Sequence, residues 1–229
     1  MIDLQGYEGQ LLVGTMMTIR VAVSAVVFGL LMGLVGAAAK LSASRVAHGA
    51  ADAYTTVFRG EPPLLILLIL YFGGTGVLSH LSESLGWGDR VDIDAFTAGV
   101  FGLGLIFGAY ATEVFRGAFL AVPQGQIDAA KACGMSWWLV FRRIQFPQVL
   151  RFALPGLGNL WMVLLKDTAL ISVIQLDELM RKTYIAAQAT KLPFTFYLAA
   201  AVIYLCLTTV SMVGQRNAER WASRGVRSA

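Results

Sequence analysis

The chain is 229 residues long, 57% hydrophobic and 14% charged, with a net charge of +4. Soluble domains carry about a quarter charged residues, so this composition excludes a water-soluble globular domain and leaves no length for a folded domain outside a membrane. It predicts a single all-α, polytopic membrane unit over residues 1–229, because lipid offers no partner to an unpaired backbone group and helices satisfy their amides internally.

A helix rises about 1.5 Å per residue and must cross about 30 Å of hydrocarbon, so a span needs about 20 mainly apolar residues. Five stretches qualify: 11–39, 54–80, 95–115, 152–176 and 192–215. The first carries one charge, Arg20, and is too long for a signal peptide, so no cleavage is expected. The second starts near Tyr54 and is charge-free from Pro62 to about Leu78. Gly29 with Gly33 in the first span, and Gly104 with Gly108 in the third, have the spacing that lets helix backbones approach closely. Gly102 with Gly104 lies inside a span with no strand before it, which favours packing over a nucleotide loop. The third span ends in Glu113 and Arg116, one helical turn apart and able to pair.

A polar, basic segment, 123–147, separates the third and fourth spans. The fourth holds Lys166 and Asp167. Counted inward from the outer ends of their spans, Arg20 and Asp167 lie at matching depth, which predicts an ion pair between them. Lys166, about 100° further round the helix, must point elsewhere. Two readings stand for these charges at span depth: they line an outward-facing polar cavity that meets the charged groups of a solute, or they form a buried pair that fixes helix register.

Basic residues set the orientation. With the N-terminus outside, 12 of them face the cytoplasm, Arg224 and Arg227 included, against four outside, namely Arg90, Arg181, Lys182 and Lys191. The segment 123–147 and the C-terminus are then cytoplasmic. The outer loops are acidic, with Glu83, Asp89, Asp92, Asp94, Asp177 and Glu178 read as solvated groups or as contacts for a soluble binding protein.

Residues 128–147 read DAAKACGMSWWLVFRRIQFP. Helix formers over 126–132 stop at Gly134, a residue suited to a left-handed cap. Ser136 can cap a second short helix, on which Trp137, Leu139, Val140, Phe141 and Ile144 form an apolar side and Arg142 and Arg143 stay in water. Pro147 is expected to end it. Exposed aromatics on a short helix between spans suit a groove on a soluble partner; an anionic lipid surface is the alternative.

The same residues resemble the EAA loop of the membrane subunits of bacterial ABC importers: E-A-A, three residues, G, nine residues, then I-x-L-P. Asp128, Ala129, Ala130, Gly134, Ile144, Phe146 and Pro147 fill that pattern, with Asp for Glu and Phe for Leu. Arg59-Gly60-Glu61-Pro62 is similar to the R-G-x-P of the polar amino acid branch. Glu113-Val114-Phe115-Arg116-Gly117 is similar to its E-x-x-R-G. Leu154-Pro155 with Asn159 resembles L-P-x-x-x-N, and Lys166-Asp167-Thr168-Ala169-Leu170 resembles K-[DS]-T-[AS]-L. The texture is most similar to the histidine, lysine/arginine/ornithine and opine permeases.

The resemblance implies a type I ABC importer permease fold in the bacterial inner membrane. It also implies a dimer of ABC ATPase subunits, a second permease subunit, identical or homologous, and a periplasmic solute-binding protein. Nucleic acid is not an expected partner. ATP and magnesium would be bound by the ATPase; this chain is expected to hold no cofactor or metal and to carry no enzymatic site. Asp128, Ala129, Ala130, Gly134, Trp137 and Pro147 would couple to the ATPase. Arg59, Glu113 and Arg116 would transmit motion at the span ends. Arg20, Lys166 and Asp167 are the candidate translocation residues. The implied function is import of polar amino acids, basic ones in particular, or opines by alternating access. An ATPase-independent carrier or channel remains the alternative. An intramembrane enzyme would need a nucleophile with a base at matching depth, which the serines and the two histidines do not offer.

Overall fold

The computed structural model describes residues 4–84 and 92–223. Arg90, Arg224 and Arg227, used above to orient the chain, and the outer-loop acid Asp89 lie outside the described residues. Among the described residues the secondary structure is helical throughout. In chain order the helices are α1 (Glu8–Leu41), α2 (Arg45–Gly60), α3 (Pro63–Ser84), α4 (Ala95–Leu120), α5 (Gln124–Ala132), α6 (Trp137–Ile174), α7 (Leu179–Thr190) and α8 (Pro193–Ala222). Five of them, α1, α3, α4, α6 and α8, are long and apolar enough to cross a membrane.

The bounds differ from the sequence expectation where backbone chemistry intervenes. The second span does not begin at 54. Ser44 caps α2 by accepting from the Ala47 amide, and α2 then stops at Gly60 because Pro62 and Pro63 follow. A proline biases the residue before it away from helix, while its own fixed φ suits a first turn; α3 therefore starts afresh at Pro63. Asp94 caps α4 through the Thr97 amide at 3.0 Å, and α4 runs on to Leu120, beyond the expected 115. The α8 helix likewise extends to Ala222, past 215.

Pro147 does not end a helix. Phe141–Gln145 forms a π-turn and the helix continues through Pro147 to Asp167. Widening the turn ahead of Pro147 relieves the clash of its ring with the preceding turn, and because α-helical bonding restarts at Phe146 its missing N–H falls in a first turn. Beyond Asp167 the helix tightens into a 3-10 segment, Thr168–Ile174, closed by Gln175 at φ 66°. The region 177–191, read above as an outer loop, contains α7, a helix too short and polar to register as a span. Its signal was Glu178, which caps it.

The helix α4 is the axis of the bundle. Its small residues meet those of α1: a Cβ on Gly29 would lie 2.8 Å from the Gly104 carbonyl oxygen and 2.7 Å from a ring carbon of Phe107. Gly108 in turn sits 3.1 Å, measured from where its Cβ would be, from the Gly29 carbonyl. Without apolar solvent exclusion to drive helices together in lipid, this close backbone approach supplies the contact. Leu67, Leu103, Phe107, Val149 and Ile171 fill the core around it. A second apolar cluster joins Leu11 of α1, Leu179 and Ala186 of α7 and Phe196 of α8.

Candidate functional site

Three groups of polar or exposed residues follow from this scaffold. The first is the elbow between α4 and α6. Pro123 opens α5, and Asp128 is exposed on it, accepting from the Gln124 side chain at 3.1 Å. Ala129 is exposed and Ala130 buried. Gly134 has φ +78°, and the amides of Gly134 and Met135 return to the carbonyls of Lys131 and Ala130 at 2.9 and 3.2 Å. That is the left-handed stop the sequence indicated. Ser136 occupies the N-cap position of α6, but its side chain makes no capping bond, so the cap assigned to it above is positional only.

Past the elbow, Val140 turns inward while Trp137 and Trp138 stay 72% and 57% exposed. Both indoles stack on Phe141 with centroids 5.9 Å apart, and Phe146 lies 5.9 Å from Phe141. The expected apolar side is thus divided: Val140 anchors the helix and the aromatic residues face out. Trp138, not singled out in the sequence, belongs to this face. The Gln148 side chain donates to Gln126 at 2.7 Å and ties α6 back to α5.

The second group lies where α1, α2 and α4 end together. Glu113 and Arg116 pair at 2.9 Å, as their spacing allows. They belong to a larger set. Lys40 Nζ sits 2.6 Å from Glu113 and 2.6 Å from Asp52, with its side chain only 7% exposed. Arg59 lies 4.0 Å from Glu113 and 5.2 Å over the Tyr110 ring. His48 approaches Asp52 at 3.1 Å. The hydrogen bond from Lys40 holds the Asp52 carboxyl below its usual range. Tyr54 fastens α2 to α4 by donating to the Leu105 carbonyl at 2.7 Å. Lys40 and Asp52 were missed because nothing local in the sequence joins Lys40 to a carboxylate more than seventy residues away.

The third group is a cavity of about 360 Å³ between α3, α4 and α6, with Pro63, Leu103, Phe107, Tyr110, Asn159 and Asp167 among its walls. Asp167, Asn159 and the Tyr110 phenol are the polar groups of an otherwise largely apolar lining. The Arg20–Asp167 ion pair does not form: among the described residues no acid lies within salt-bridge distance of Arg20, which is exposed. The buried stripe of α1 runs through Thr18, Val21 and Ala25, and Arg20 falls off that stripe. Lys166 is exposed and outside the cavity wall. The structure therefore brings only Asp167 of the three candidate translocation residues to the cavity. Its carboxyl ends the last α-helical turn of α6, where the helix dipole also favours a cation.

The family described as binding-protein-dependent transport system inner membrane component matches residues 25–224. The nopaline transport system permease protein NocQ of Agrobacterium fabrum is 50% identical over 97% of this chain and 95% of its own length. The histidine/lysine/arginine/ornithine transport system permease protein HisQ of Escherichia coli is 45% identical over 99% of both chains. A solved amino acid ABC transporter with histidines superposes with a TM-score of 0.79 at 34% identity, over 93% of this chain and 94% of that one. The MetNI methionine ABC transporter shares the fold, with a TM-score of 0.74 at 18% identity over 95% and 98%.

Proposed function

The chain belongs to the family of binding-protein-dependent transport system inner membrane components, and from that membership we propose how this permease subunit works. An ATPase pair grips the elbow, and the cargo is a polar amino acid or opine carrying a cationic group. The observation that carries the coupling reading is the stacked aromatic face of Trp137, Trp138, Phe141 and Phe146. Rigid, exposed aromatics beside a fixed turn are the side chains that anchor protein interfaces.

The transmission path is built from the same elements. The elbow is continuous with α4 on one side and, through the π-turn, with α6 on the other, and Asp167 lies at the far end of α6. The Lys40, Asp52, Glu113 and Arg116 set ties α4 to α1 and α2 just ahead of the elbow. A rigid-body shift of the elbow then moves the cavity walls together, which is alternating access. Moving such an equilibrium from one dominant state to the other takes about 5 kcal/mol of differential contacts. A partner ATPase, holding ATP and magnesium, supplies them. The partners are this ATPase pair, a second permease subunit and a periplasmic solute-binding protein. The N-terminus lies outside and the elbow and C-terminus inside the inner membrane.

Asp167 selects the cargo. A carboxylate in a mainly apolar cavity attracts an ammonium or guanidinium strongly because little water competes there. The NocQ and HisQ relatives are named for nopaline and for histidine, lysine, arginine and ornithine transport, solutes consistent with such a site. Ligand binding by the cognate periplasmic protein tests the cargo directly: tight binding of a basic amino acid or opine supports it, and selective binding of a neutral sugar contradicts it.

A further inference from the structure

One carboxyl group is buried where the sequence indicated a solvated loop acid. Glu178 is fully enclosed at the start of α7. It accepts from the Arg181 amide at 2.8 Å and the Met180 amide at 2.9 Å, and the Thr18 hydroxyl of α1 donates to it at 3.3 Å. The Thr18 oxygen in turn accepts from the Leu179 amide at 3.2 Å. The first amides of α7 are thus held by one carboxyl and one hydroxyl from a different helix. Gly14, one turn before Thr18, permits the approach, since a Cβ there would lie 3.0 Å from Leu179 Cα.

Two further elements converge on the same point. Thr168, fully buried, opens the 3-10 segment immediately after Asp167. Tyr204 of α8 places its hydroxyl beside Thr18 and Thr168 and within electrostatic reach of Glu178. That hydroxyl is buried and makes no hydrogen bond. No cation compensates Glu178 among the described residues. Arg181 offers its amide, Lys182 is paired with Asp177 at 2.6 Å, and α1 and α8 present only Thr18 and Tyr204. Enclosure opposes the charged form; it outweighs the amide bonds and raises the carboxyl from 4.5 to about 7.

We propose that Glu178 is a positioning residue that locks α7 against α1 through Thr18, with Tyr204 of α8 closing over it, and that it makes transport respond to the pH on that face of the bundle. The transport half of this proposal rests on the importer reading; the locking half does not. Because the folded carboxyl sits above its ordinary value, its contribution to stability is complete below about pH 4.5 and is lost as pH rises through about 7.

The test uses the complete importer complex with its ATPase and binding protein. The apparent melting temperature and the uptake into proteoliposomes are followed from about pH 4 to about pH 8.5, a range that brackets the ordinary and the raised carboxyl values. Wild type is expected to lose melting temperature between about pH 4.5 and about pH 7 and level off above it, and to change its uptake rate at least two-fold across about pH 7. Glu178→Gln is expected to flatten both profiles at their low-pH level, and Thr18→Val, which removes a donor to the carboxyl, to displace the midpoint upward. A wild-type slope retained in Glu178→Gln overturns the proposal. If that variant fails to assemble, an unmoved midpoint in Thr18→Val overturns it instead. No uptake by wild type at any pH would contradict the importer reading alone, since the melting profile still decides the role of Glu178.

Discussion

Lys40 is the residue on which the ion set between α1, α2 and α4 turns. It reaches two carboxylates at 2.6 Å from a nearly enclosed position. Lys40→Met leaves Glu113 short of its closest partner and is expected to cost roughly 2 kcal/mol in the unfolding of the purified subunit, the usual range for a charge-assisted bond lost from a partly buried group. Adding Glu113→Gln to it should restore part of that loss, which a double-mutant cycle measures. At the other end of α6, Asp167→Asn keeps size and removes charge. Uptake of a cationic solute is expected to fall about 10- to 100-fold, equivalent to about 1.4–2.8 kcal/mol, with complex assembly unchanged. A loss equal for cationic and neutral solutes would argue against a charge-selecting role. The contrast between Asp167 and Arg20 shows what was readable at this scale. Counting residues gives depth, but a pair also requires the right face of each helix, and the face of α1 is set by glycines that meet α4. Glu178 was unreadable for a related reason: its loop position marks it as solvated until α7, α1 and α8 are seen to close over it.

At the level of elements, the glycine spacing in α1 and α4 was legible because lipid-facing helices pack through small residues. Gly29→Val inserts a branched side chain where even a Cβ would press on the Gly104 carbonyl. It is expected to destabilise the bundle by about 1–3 kcal/mol, measured as a lower thermal midpoint; an unchanged midpoint would contradict the tight α1–α4 seam. The elbow was legible through Gly134, whose positive φ follows from its place after α5. The behaviour of Pro147 was not, because a π-turn trades one ring of hydrogen bonds for another without a sequence signature strong enough to override the usual rule for proline. Likewise Pro62 and Pro63 separate α2 from α3, although the apolar run alone extends the span back to Tyr54. In both places hydrophobicity set the approximate span and backbone geometry set its ends.

For the whole molecule, five long apolar helices and the elbow form a permease subunit whose work depends on partners. The family membership and the elbow spacing were both present in the sequence, since they reside in contiguous motifs. The ion set, the cavity and the enclosed carboxyl were not, since each joins residues from three or more helices. The central claim is that force enters through the aromatic elbow. It is tested most directly by measuring solute uptake into proteoliposomes holding the full complex, with wild type beside Trp137→Ala/Trp138→Ala. Interface aromatics of this kind are typically worth about 2 kcal/mol each, so the double variant, losing about 4 kcal/mol, is expected to bind the ATPase roughly 1,000-fold more weakly and to lose ATP-driven uptake while the permease itself stays folded. Undiminished ATP-driven uptake by that variant, or solute flux through the permease without any ATPase, would contradict the account.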